Sequence, residues 1–234
     1  MIFINPYRLV TGGGGGSVPT VVGVSSVAAG TGAQIVPWVS GHQADDVALN
    51  FHVWRASNAA PSVDPTNSTI FLTSDGDNQS DNRGIQLSWS RATSGAMSDV
   101  TFEDAGPINI NAMIVLRGCT TTGNPFETIT SGNHTPAGTS LSITGGTPSQ
   151  NNSLLIFGNG WALDSNTDDL SVGFTNSNLS NVTNRFTSQT NSSSGGGLYV
   201  GTGEQATAAA TGATTATFTT AAKGNWFKVA AIPA

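Results

Sequence analysis

Val47-Ala48-Leu49-Asn50-Phe51-His52-Val53-Trp54 alternates with a period of two, setting Val47, Leu49, Phe51 and Val53 on one face. A helix would need apolar residues at i, i+3 and i+4, and hardly any window of the chain repeats that spacing. Outward from this stretch the same grammar recurs. Ile85-Gln86-Leu87-Ser88-Trp89-Ser90 turns Ile85, Leu87 and Trp89 inward. Ile108 to Leu116 places Ile108, Ile110, Ala112, Ile114 and Leu116 on one side and Asn109, Asn111, Met113 and Val115 on the other. That pattern predicts a central strand covered on both faces. Leu141-Ser-Ile143, Leu154 to Phe157, Leu170 to Phe174, Leu198 to Val200, Thr215 to Thr219 and Trp226 to Ala231 bring the count to about nine or ten strands. Gly, Pro, Asn and Asp fill the connections, as in Asp75-Gly76-Asp77-Asn78 and Thr144-Gly145-Gly146-Thr147-Pro148. The expectation is an all-β, two-sheet antiparallel sandwich, jelly-roll-like, built as one domain over 17–234. One echo occurs inside it. Ala44-Asp45-Asp46-Val47-Ala48-Leu49 and Gln150-Asn151-Asn152-Ser153-Leu154-Leu155 both launch an apolar strand from polar residues, without an evident fixed-period repeat.

Charged residues make up only 9% of the chain, against about 25% in ordinary globular proteins. A net charge of −6 and eight scattered Lys and Arg form no basic patch, which argues against nucleic acid as a partner. No stretch approaches the ~20 apolar residues of a membrane helix. The opening lacks a basic region before an apolar run, so synthesis in a cytoplasm without Sec export is expected.

The first sixteen residues stand apart. Met1 to Thr11 carries Ile2, Phe3, Ile4, Tyr7, Leu9 and Val10, and then Gly12 to Gly16 follow in unbroken succession. Consecutive glycines hold no defined backbone path, while an apolar, aromatic peptide favours docking over hydration. Residues 1–16 therefore read as an extended N-terminal docking arm on a hinge, with Phe3, Ile4, Pro6 and Tyr7 as its partner-docking residues.

Catalytic constellations are weak. His42, His52 and His134 lack HxH or HExxH spacing, and no G-x-S-x-G elbow occurs. His52 falls on the outer face of its strand, and His42 and His134 read as loop residues. Cys119 follows a core strand without a local partner and reads as a small semi-buried residue. Glu103, Asp104, Glu127 and Glu204 show no spacing that marks a catalytic carboxylate pair. Gly201-Thr202-Gly203-Glu204-Gln205-Ala206 matches a dinucleotide fingerprint in letters, yet no acidic residue follows at the required distance. The reading is of a non-enzyme without cofactor. Asp75, Asp77 and Asp81 form a weak candidate calcium loop that departs from the EF-hand pattern, and Asp164, Asp168 and Asp169 a weaker one. Trp54 and Trp161, near strand ends, are the candidates for stacking on a glycan. The triplets Asn67-Ser68-Thr69 and Asn181-Val182-Thr183 read as chance products of an Asn-, Ser- and Thr-rich chain.

Ala44 to Leu49, Leu87-Ser88-Trp89-Ser90-Arg91-Ala92, Ala112-Met113-Ile114-Val115-Leu116-Arg117-Gly118 and the closing Asn225 to Pro233, together with Ile4-Asn5-Pro6-Tyr7, resemble a tailed-bacteriophage virion structural protein family with a β-sandwich body. The resemblance spans roughly residues 40–234 in pattern. It implies an oligomeric capsid-decoration or tail protein, a homotrimer favoured, located in the virion and partnered by other virion proteins. The alternative expectation is a carbohydrate-binding host-recognition adhesin of tail-fibre or lectin-like type, with a host glycan as ligand.

Overall fold

A computed structural model describes residues 16–29, 31–55, 61, 65–75, 83–106, 108–162, 171–190 and 196–234. Among these residues there are thirteen β-strands and no helix. The first half of the chain supplies β1 (Thr20–Ala29), β2 (Gln34–Val36), β3 (Val47–Arg55), β4 (Thr69–Asp75), β5 (Arg83–Arg91), β6 (Val100–Phe102) and β7 (Ile108–Arg117). The second half supplies β8 (Phe126–Ile143), β9 (Ser153–Ala162), β10 (Ser171–Thr175), β11 (Ser180–Thr190), β12 (Gly196–Gln205) and β13 (Thr214–Ala231).

The first sheet runs β1-β7-β3-β5-β4, antiparallel throughout. In the second, β8 pairs with β13, and β13, β9, β12 and β11 follow in order, again antiparallel. The sheets pack face to face. Their shared core joins Leu49, Phe51 and Ile114 of one sheet to Ile156, Val200 and Phe227 of the other. The alternation read from the sequence is the cause: Val47, Leu49, Phe51 and Val53 all enter this core. As expected, β7 is covered on both faces. The all-β antiparallel sandwich is thus the fold, and its two sheets are filled in succession, each by one half of the chain.

Each sheet also carries a cover on its outer face. The small β2–β6 pair packs Val36, Val100 and Phe102 over Ala48, Met113 and Val115. On the other side the distal parts of β8 and β13, near residues 138–143 and 214–222, turn back with β10 and pack Leu141, Ile143, Phe174 and Phe218 on Phe157, Tyr199 and Trp226. Thr130 and Thr144 share a hydroxyl hydrogen bond of 3.0 Å across this reversal, and Lys228 Nζ donates to the Gly212 carbonyl at 2.9 Å.

Candidate functional site

Three neighbouring rows of side chains define the outer face of the first sheet. Register places Gln86, His52 and Asn111 in one row, Ser88, Asn50 and Met113 in the next, and Gly84, Trp54 and Asn109 in the third. Cross-strand neighbours on one face lie about 5 Å apart, so the polar members form one continuous patch. All of them are buried. His52 Nε2 donates to Asn109 Oδ1 at 3.2 Å, because the Asn109 amide nitrogen already donates to Asp104 Oδ1 (2.9 Å) and the Gly106 carbonyl (3.0 Å). Burial pushes the His52 imidazolium down from 6.5 to about 4, against the raising influence of Asn109, Glu103 and Asp104. At neutral pH His52 is an uncharged, interior hydrogen-bonding group. Asn50 Nδ2 reaches the hydroxyls of Ser68 (3.0 Å) and Ser90 (3.3 Å). Asn50 Oδ1, Gln86 Oε1, Ser88 Oγ and both polar atoms of Asn111 have no hydrogen-bond partner among the described residues. Each such buried atom costs about 1–3 kcal/mol of desolvation.

The tryptophans have a structural reason for their positions. Trp54 lies directly opposite Gly84, Trp161 opposite Gly197, and Trp226 opposite Gly132. In each pair the indole covers the bare glycine backbone, so that a side chain at the glycine would collide with the ring. Trp54 is 2% exposed and Trp161 3% exposed. Neither ring has a face available to a sugar, and the expected glycan-stacking role of both is corrected accordingly. Their nearness to strand ends suggested exposure; the glycine opposite each one is what draws the ring inward.

A second place of interest is where the arm meets the body. The Gly16 carbonyl accepts from Asn152 Nδ2 at 2.9 Å, and Gly16 lies against the Ala234 carbonyl with no room for a side chain. Ala234 N donates to the Gly118 carbonyl at 2.9 Å, and Cys119 forms a β-bridge with Pro233. Gly16 is therefore held between the turn that precedes β9 and the last residue of the chain.

The remaining reactive groups are held separately. Cys119 is buried, and desolvation pushes its thiol up to about 12. Lys228 is buried on the second sheet, with its ammonium pushed down by burial to about 8. His42 bridges two loops, with Nδ1 donating to the Val39 carbonyl (2.7 Å) and Nε2 accepting from Met97 N (3.2 Å). His134 lies in β8 and not in a loop; burial first, then Arg83, lowers its pKa. Asp104 bonds Asn109, Glu127 bonds Ser149 and Glu204 bonds Asn181, so these carboxylates serve separate local contacts. Among the described residues no three His, Cys, Asp or Glu side chains are grouped to hold a metal ion, and no helix is long and apolar enough to cross a membrane.

No protein family, no curated protein and no solved structure matches this chain. Phe3, Ile4, Pro6 and Tyr7 of the arm lie outside the described residues, as do Asp77, Asp81, Asp164, Asp168 and Asp169. Asp75 closes β4. The polar layer and the Trp–Gly pairs were not singled out from the sequence, where outward positions on a strand look like solvated ones.

Proposed function

We propose that the chain is a non-enzymatic structural protein of a tailed-bacteriophage particle, a β-sandwich body anchored to capsid or tail by its N-terminal arm. The observation that carries this reading is the fixed seat of Gly16. Asn152 and the Ala234 carbonyl hold Gly16, the last glycine of the run, against the body. In the sequence, five consecutive glycines favour no single backbone path, which suits a peptide that has to find a groove or a sheet edge. The resemblance of the strand motifs to virion proteins supplies the setting. The burial of His52, Cys119 and Lys228, each committed to packing or a local hydrogen bond, supports a role in assembly over one in turnover.

Docking by a tethered peptide loses ordering entropy, and several copies on one oligomer recover affinity through avidity. A small oligomer, with a trimer as the expected size, suits this arrangement, and light scattering on the purified chain reads it directly. The deciding experiment is co-sedimentation of the full chain, and of the chain lacking residues 1–16, with particles stripped of it. Loss of the arm is expected to weaken attachment by roughly 10²-fold. Equal attachment of both forms refutes the anchoring role. If the arm instead clasps a sister subunit, the shortened chain loses its oligomeric mass while its particle binding falls only in proportion.

A further inference from the structure

The two sheets share more than a strand order. β1, β2, β3, β4, β5, β6 and β7 correspond one by one to the first part of β8, its distal part, β9, β11, β12, the distal part of β13 and its last part. In both halves the first strand pairs with the last, the last with the strand corresponding to β3, and the cover is formed by the segments that follow the first strand and precede the last. β10 is the one described addition.

Fine geometry follows the same correspondence. Among the described residues four non-glycine residues have positive φ, and they fall into two equivalent pairs: Asp45 (68°) with Asn152 (56°), and Asn67 (57°) with Asn181 (51°). The first pair launches β3 and β9; the second stands two residues before Thr69 and Thr183, which pair with equivalent positions Trp89 and Thr202. Among non-glycine residues Asn and Asp enter the left-handed region most readily, and within the described residues they do so only at matched sites of the two halves. β4 and β11 both bulge at the equivalent residue, Phe71 and Arg185, and β11 shifts register once more between Ser180 and Thr183. Trp54 over Gly84 recurs as Trp161 over Gly197.

The halves also meet as a two-fold axis requires. β1 touches β11 as β8 touches β4, β5 touches β13 as β12 touches β7, and β5 touches β9 as β12 touches β3. Where the chain nears the axis, Gly118 meets Ala234 and Cys119 meets Pro233. Gly118 is equivalent to Pro233 and Cys119 to Ala234, so residue i meets j and j meets i. That reciprocity is the mark of an isologous contact.

We propose that this chain is a fused homodimer: the inner face of each half is a self-recognition surface, and the partner it fits is a second copy of the same unit. The surface is the shared apolar core, with Phe51 and Phe227 in ring contact across it at 5.5 Å. It can therefore be filled by the partner half of the same chain or by the like half of another. This inference stands apart from the role of the arm.

The test uses the full chain with a protease site set into the exposed connector between Thr121 and Asn124. The cleaved protein is separated in urea, and each half is refolded alone and with its complement. Native mass spectrometry then reads the pairs. The expected result is a 1:1 body from the mixture and a like–like pair from the second half alone, the latter abolished by Phe227→Asp. Recovery of the 1:1 body without any like–like pair overturns self-recognition. Failure of the mixture to reassemble overturns the claim that the inner faces are recognition surfaces at all.

Discussion

Gly84→Ala adds one methyl to the most tightly confined backbone of the first sheet. That carbon falls 2.6 Å from both Cε2 and Cη2 of Trp54 and nearer still to Cζ2. Carbon atoms settle at about 3.5–4.0 Å, so the indole has to retreat by roughly 1 Å. Trp54 is buried against His52, and an interior packed at crystal density has no slack of that size. Overpacking of this kind costs about 1–3 kcal/mol, while loss of glycine freedom in the unfolded chain returns about 0.4–1 kcal/mol. The net expectation is a destabilisation of about 1–2 kcal/mol. Gly197→Ala meets Trp161 in the same way, with Cη2 at 2.6 Å, and is expected to cost the same. The two sites lie on opposite outer faces of the sandwich, so the double variant should lose about 2–4 kcal/mol, close to additively. Gly173 in β10 has open space around it, and Gly173→Ala is expected to be neutral or slightly stabilising. Urea unfolding followed by tryptophan fluorescence gives all four midpoints. A neutral Gly84→Ala, or a Gly173→Ala as harmful as the other two, refutes the view that these indoles are fitted to bare backbone.

Three further outcomes follow from the buried groups. The folded-state pKa of His52, about 4, lies below its ordinary 6.5, so the unfolded chain takes up the proton first. Its contribution is complete above pH 6.5 and is lost as the pH falls toward 4, about 3 kcal/mol in all; His52→Asn should flatten this part of the stability–pH curve. Asn111 has both polar atoms buried without partners among the described residues, and Trp226 stands at the equivalent position of the second sheet. Asn111→Leu is expected to raise stability by about 1–3 kcal/mol in the same urea assay, and a loss would show that its amide is satisfied. Cys119 should resist a thiol-reactive dye at pH 8 in the native chain and react fully in urea; rapid native labelling would contradict its burial.

The central strands were legible because their chemistry is set by burial. β3, β5 and β7 alternate visibly, and the sandwich follows from them. The edges were not legible. β1 and β11 carry Ser, Thr, Asn and Gly on exposed positions, and β8 runs through Gly132 and Pro136, so no alternation announces them. The duplication left a faint sequence signal. Asn67-Ser-Thr-Ile-Phe-Leu-Thr-Ser74 and Asn181-Val-Thr-Asn-Arg-Phe-Thr-Ser188 keep Asn, Thr, Thr and Ser in register, and the shared Asn is the residue that takes the left-handed turn in both. The inner faces need only apolar bulk, so Leu49 and Ile156, or Leu87 and Val200, diverged freely. The outer faces diverged further, since one cover packs on Ala48, Met113, Val115 and His52 and the other on aromatic rings. Trp54 and Trp161 were misread because a cross-strand glycine is a neighbour only in the folded chain.

The claim that this sandwich is an anchored part of a phage particle is tested most directly by quantitative peptide mass spectrometry of gradient-purified particles from the host that makes it. The account predicts the chain at a fixed copy number per particle, retained through salt washing and lost when residues 1–16 are deleted. Particles that lack the chain while the lysate contains it in abundance would contradict the account.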